Sequence, residues 1–131
     1  MSQLDIFSLE GRVALVPGGG GAIGAAMAEA LAGAGARVAV AGRTPETLHD
    51  AIERVKSAGS EGLAITADVT VEDECERLVA ETIEQFGKVD IVVNAVGGGA
   101  GQVLHPAEAY PRDAWDWIMQ RHWRRSTQRF V

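Results

Sequence analysis

Short apolar runs alternate along this 131-residue chain with longer stretches in which apolar positions recur every three to four residues. Val13 to Val16 is an uncharged apolar run, the pattern of a strand buried on both faces. Ile23, Met27, Ala30 and Leu31 then recur at helical spacing, and Val38 to Ala41 reads as a second strand. Leu48, Ile52 and Val55 give the next helix one apolar face, with Thr44 as its cap, Pro45 at its first position and Gly59 at its end. Leu63, Ala64, Ile65 and Ala67 form a third strand ending at Asp68-Val69. Cys75, Leu78, Val79, Ile83 and Phe86 line a third helix that ends at Gly87. Thr70 is its expected cap, and Glu72, Asp73 and Glu74 complement the dipole in its first turn. Val89 to Val93 reads as a fourth strand leading into Asn94-Ala95-Val96-Gly97, and Asp113 to Trp123 as a last helix with Trp115, Ile118 and Met119 on one face.

Strand and helix alternate with connections of a few residues, which predicts a parallel sheet covered by helices and joined by right-handed crossovers. Between the first strand and its helix lie Gly18 to Gly21. A turn without Cβ atoms lets backbone N–H groups reach a phosphate, and the following helix aims its positive end at it. Gly19, Gly21 and Gly24 fit G-x-G-x-x-G with the strand before and the helix after that the motif requires. The fold class is therefore α/β: a Rossmann-type doubly wound parallel sheet of strand order 3-2-1-4, cut short after about four strands. A full doubly wound nucleotide fold has two such halves.

Charge and composition narrow the functional classes. The net charge of −6 argues against nucleic acid or an anionic membrane as the main partner. Cys75 is the only cysteine, which excludes an internal disulfide framework, suits a reducing compartment and places the chain in the cytoplasm. The start MSQLDIFSLEGR lacks a basic n-region and an apolar h-region, and no segment reads as a membrane span. His49 and His105 are isolated, so no metal site is expected. All 18 acidic residues lie within 1–118, whereas 119–131 hold four arginines (121, 124, 125 and 129) and no acid. The domain reading follows that shift: a nucleotide-binding half-domain over 1–118 and an atypical basic tail over 119–131. The tail suggests a truncated or frameshifted end near Met119, or else a natural short form whose arginines pack on the acidic body or a second subunit.

Ligands of open α/β sheets bind outside the carboxyl ends of the strands. Those ends here are Gly18 to Gly24, Gly42-Arg43, Asp68-Val69 and Asn94 to Gly97. An NAD site carries an acid at the end of strand two, about 20 residues beyond the glycines. This chain has Ala41-Gly42-Arg43 there, and a guanidinium fork suits a ribose 2′-phosphate. NADP is therefore expected in preference to NAD.

As a set, these residues resemble the short-chain dehydrogenase/reductase family over about residues 9 to 118. Leu9-Glu10-Gly11-Arg12 resembles the family's lead-in to strand one. Gly18, Ile23 and Gly24 resemble its TGxxxGIG turn, with Pro17 in place of Thr and Ala22 in place of the middle glycine. Asp68-Val69 resembles its Asp-Val, whose carboxylate accepts from the adenine amino group. Asn94, Ala95 and Gly97 lie where the family has NNAG, beside the nicotinamide ribose; Ala95 replaces its second Asn. The cofactor residues implied are thus Gly18, Gly19, Gly20, Gly21, Ile23, Gly24, Arg43, Asp68, Val69, Asn94, Ala95 and Gly97. The resemblance implies hydride transfer between NADP(H) and a small-molecule carbonyl or alcohol, and a homo-oligomer at full length. The family's acid–base residues are a Tyr and a Lys four residues apart, with a Ser upstream. Tyr110 is the only tyrosine here and Ala114 stands four residues on, so no catalytic residue is assigned. The competing reading is an inactive fragment that binds nucleotide or dimerises.

Overall fold

The structure, a computed structural model, describes residues 5–97 and 105–127, with side chains through Met119. Strands β1 (Val13–Pro17), β2 (Arg37–Gly42), β3 (Gly62–Thr66) and β4 (Ile91–Val92) form one parallel sheet in the order β3-β2-β1-β4. Helices α1 (Ala22–Gly33), α2 (Pro45–Ser57) and α3 (Glu72–Phe86) follow the first three strands, and α4 is Arg112–Thr127. This is the predicted Rossmann-type order.

The sheet is buried because its strands are apolar on both faces. All five residues of β1 are buried. Ala14, Val16, Val38 and Val40 face one core with α1 and α2. Val13, Leu15, Ala39 and Ala41 face the other, against α3, which gives the two-sided burial expected of central parallel strands. The ladder beside β1 is longer than β4 itself. Asp90 N–H donates to Val13, Val93 N–H to Leu15 and Ala95 N–H to Pro17, each at 2.9 Å, so the chain follows β1 up to the site end of the sheet.

Several local expectations change. The helical spacing of Ile23 and Met27 is real, but both are exposed. The buried stripe of α1 is Gly24, Ala25, Ala28 and Ala32. Small side chains let this helix lie close on the sheet, which is what brings its first turn down onto the glycine turn. On α3, Thr82 rather than Ile83 is buried. Its hydroxyl donates to the Leu78 carbonyl at 2.8 Å, so its polar atom has a partner. The N-cap of α3 is Val71, not Thr70, and Thr70 instead donates from its N–H and hydroxyl to Asp68 Oδ1 at 2.9 and 2.6 Å. Thr44 is the N-cap of α2 by position, without a side-chain bond. Helix α4 starts one residue before the predicted Asp113 and runs on through Thr127 without a break at Met119. Among its described side chains Ala114 is the buried one, while Trp115 is exposed. The glycine-rich segment 98–104 and the side chains of the tail arginines lie outside the described residues.

One carboxylate ties the amino ends of β1 and β4 together. Asp90 Oδ2 accepts from Val13 N–H at 2.8 Å and from Lys88 at 3.1 Å, while Oδ1 lies 3.6 Å from Arg12. The Val13 N–H, then Lys88 and Arg12, hold its carboxyl below the usual range despite some desolvation. A depressed folded pKa gives stabilisation that is complete above the unfolded carboxylate value, about 3.9, and is lost as pH falls toward the folded value. Asp90→Asn is expected to lower the unfolding midpoint by a constant amount above about pH 5, with the gap to wild type closing below pH 4. Thermal denaturation from pH 7 to pH 3 checks this.

Candidate cofactor-binding site

At the carboxyl end of the sheet lies an open cavity of about 320 Å³. Four segments build it. The glycine turn after β1 contributes Gly18, Gly20 and Gly21, and the end of β2 with the start of α2 contributes Gly42, Arg43, Thr44 and Thr47. Ala67, Asp68 and Val69 follow β3, and Ala95, Val96 and Gly97 follow β4. The convergence expected from strand order is therefore present.

The floor is a glycine turn with almost no free space behind it. Gly18 has φ +79°, which disfavours any L side chain, and a Cβ there would stand 2.7 Å from the Val96 nitrogen. Gly24 in α1 packs on the Gly18 carbonyl, and a Cβ there would meet the Gly18 carbonyl carbon at 2.8 Å. The turn is anchored by Gly18 N–H donating to Ala41 at 2.8 Å and Gly21 N–H to Gly18 at 3.2 Å. Gly21 is the N-cap of α1, which has no acid in its first turn. The leading N–H groups of a helix have no carbonyl before them within the helix, so this end favours an anion. Ala22 occupies the first helical position, exposed.

Arg43 is exposed on the second wall, and no carboxylate lies within ion-pair range of it among the described residues. Thr47 stands beside it, its hydroxyl donating to the Thr44 carbonyl at 3.0 Å, and fills the space next to Gly20. On the third wall Asp68 is fixed by Thr70 as an Asx turn and by a bond from its own N–H to Glu74 Oε2. Cys75 lies behind, donating to the Val69 carbonyl at 3.3 Å, and burial together with the nearby acids Asp68, Glu72 and Glu74 pushes its thiol pKa up. It is a core residue.

Not every expected residue lines the cavity. Gly19 is buried on Val40 and Gly24 lies beneath the turn, so both shape the floor from behind. Ile23 and Asn94 are exposed and are not part of its lining. Thr44, Thr47 and Ala67 were not anticipated, and Val96 only as part of the Asn94 to Gly97 strand end. For the two threonines the available signal was their position in Arg43-Thr44-Pro45-Glu46-Thr47, where a helix begins directly at the end of β2.

The family model for short chain dehydrogenases matches residues 12–123, from the start of β1 into α4. This chain belongs to the short-chain dehydrogenase family. It is 42% identical over 95 residues to an uncharacterised oxidoreductase of Mycobacterium tuberculosis, covering 72% of this chain and 36% of that protein. A 3-oxoacyl-acyl-carrier-protein reductase of rhamnolipid biosynthesis from Pseudomonas aeruginosa is 40% identical over 114 residues, covering 87% and 43%. Among solved structures, a dehydrogenase/reductase from Sinorhizobium meliloti 1021 superposes with TM-score 0.82 at 32% identity, over 94% of this chain and 48% of that one. An NAD+-bound xylitol dehydrogenase gives TM-score 0.77 at 33% identity, over 86% and 42%. The chain thus spans less than half of each of these relatives.

The packing makes the glycines separable. Gly18→Ala and Gly24→Ala are each expected to cost about 1–3 kcal/mol through strain and overpacking. Gly21→Ala, whose Cβ would meet only the Gly18 oxygen at 3.5 Å, costs clearly less. Urea denaturation of the three variants checks this, and equal losses would contradict the packing described.

Proposed function

We propose that this chain is the cofactor-binding half of an NADP(H)-dependent short-chain oxidoreductase that moves a hydride between a carbonyl and an alcohol of a small-molecule substrate. The observation that carries the reading is the cavity itself. The glycine turn with the α1 N-terminus, Arg43, Asp68 and the Ala95–Gly97 backbone all border one space. The turn and the first N–H groups of α1 suit a pyrophosphate. Arg43, unopposed by any acid at the end of β2, suits a ribose 2′-phosphate and favours NADP over NAD. Asp68 and Val69 would take the adenine, and Ala95 to Gly97 would lie along the nicotinamide ribose. The bound nicotinamide would supply or accept the hydride.

These residues would bind and orient the cofactor; among the described residues no tyrosine or lysine borders the cavity. Tyr110 packs edge-on between His105 and Trp115, with ring centroids 5.3 and 6.2 Å away. Lys56 pairs with Glu53 and Lys88 with Asp90, so neither lysine is placed to lower a tyrosine pKa. These 131 residues are therefore expected to bind cofactor without turnover, the acid–base residues belonging to a catalytic half like that of the longer relatives. That lack is also what favours the second reading, a non-catalytic nucleotide-binding or dimerising fragment.

Arg43→Ala is expected to weaken NADPH by about tenfold or more, the loss of a charge-assisted pair, while leaving NADH nearly unchanged. Fluorescence titration with both dinucleotides checks it, and equal effects would remove the NADP preference. Carbonyl-dependent NADPH oxidation by this chain alone would overturn the expectation of no turnover.

A further inference from the structure

β3 is an edge strand, so half of its backbone groups have no neighbouring strand to pair with. Odd-numbered residues face β2: Glu61 accepts from Val38 at 3.0 Å and Ala67 donates to Gly42 at 2.8 Å. The Thr66 carbonyl and the Asp68 N–H therefore point away from the sheet, at the point where the chain leaves β3 and becomes the cavity wall. Two side chains of α3 meet them. Arg77 donates to the Thr66 carbonyl at 2.7 Å, and Glu74 Oε2 accepts from the Asp68 N–H. Arg77 also lies 3.6 Å from Glu74 Oε1 and 2.7 Å from Glu81 Oε1, so the pair is braced on its own helix. A guanidinium donor and a carboxylate acceptor thus stand where a fifth strand would place its own N–H and C=O.

We propose that Glu74, braced by Arg77, is a positioning residue for the adenine end of the cavity, holding the backbone of Asp68 so that its carboxylate faces the adenine amino group. This rests on the cofactor reading above and adds to it a residue outside the cavity lining. Its neighbours have ties of their own, Ala67 N–H to the Gly42 carbonyl and the Val69 carbonyl to Cys75, and Glu74 adds one at the Asp68 N–H between them. Asp68 Oδ1 is bound by Thr70 only two residues on, and Val71 N–H donates to the Asp68 carbonyl at 3.0 Å. Those bonds shape the turn itself, and Glu74 and Arg77 tie the Asp68 N–H and the Thr66 carbonyl to α3.

The test uses the whole chain and two probes, NADPH and its deamino analogue, in which hypoxanthine replaces adenine and removes the amino donor. Wild type is expected to bind NADPH about fivefold more tightly than the analogue, the value of one hydrogen bond. Glu74→Ala is expected to bring that ratio close to one, and Glu74→Gln, whose carbonyl can still accept from Asp68 N–H, to keep it. Arg77→Met is expected to reduce the ratio as well, and carries the test if Glu74→Ala does not fold. A ratio in the folded variants equal to wild type, with both ligands weakened alike, would overturn the assignment. A wild-type ratio of one would also overturn it while leaving the cofactor reading intact. Failure of wild type to bind any dinucleotide would overturn the cofactor reading itself.

Discussion

The contact between Gly24 and the carbonyl of Gly18 sets the geometry of everything around it. It brings α1 onto the end of β1 with no side chain between them, so the helix begins at the turn rather than a turn later. The same closeness requires the Gly-Ala-Ala-Ala stripe of Gly24, Ala25, Ala28 and Ala32 against the sheet. It also pushes the larger Ile23 and Met27 outward. On its other side, the Gly18 backbone lies against Ala95 and Val96, so the turn, the first helix and the run after β4 are packed as one unit. A cavity floor built only of backbone is the result.

Around that floor the walls are held by different means. The β2 wall is held by a helix that begins at the strand end, with Pro45 at its first position and Thr47 filling the space beside Gly20. The β3 wall is held on one side by the β2 ladder, through Ala67, and on its open side by side chains of α3, because an edge strand has no further neighbour. The β4 wall is held by the β1 ladder, which continues past the regular strand to Ala95. Pro17 alters that last junction. The carbonyls of Val13, Leu15 and Pro17 all face β4, so the N–H that proline lacks is also on that side. The ladder keeps the acceptor of Pro17 and loses its donor.

Much of this was legible in the chain. Uncharged runs such as Val13 to Val16 announce a doubly buried strand, and periodic stretches such as Leu48 to Val55 announce a one-sided helix, so the parallel order followed from topology rules. The strand ends then named Gly18, Gly20, Gly21, Arg43, Asp68, Val69, Ala95 and Gly97 as neighbours, and they are neighbours. What failed was whatever depends on distance rather than on pattern. Periodicity marks Ile23 and Met27 as apolar but cannot reveal that α1 sits too close to the sheet for either to be inside. Spacing proposed Thr70 as a helix cap, but Asp68 two residues earlier is a nearer acceptor and takes the hydroxyl. Glu74 read as a dipole partner at the start of α3, since nothing local shows that an edge strand leaves an N–H within its reach.

The sheet order also sets how far apart in sequence the touching segments lie. Val13 finds its β2 partner Arg37 after one crossover, but its bond to Asp90 spans 77 residues. Closing the longer loop costs more entropy, and the intervening strands and helices can pack without it. The β3-β2-β1 portion is therefore the sequence-local part of the sheet, and β4, with Ala95 to Gly97 behind Gly18, is its most distant strand. The floor of the cavity belongs to the local part and its last wall to the distant one. Any ligand touching both would favour the state in which β4 is docked.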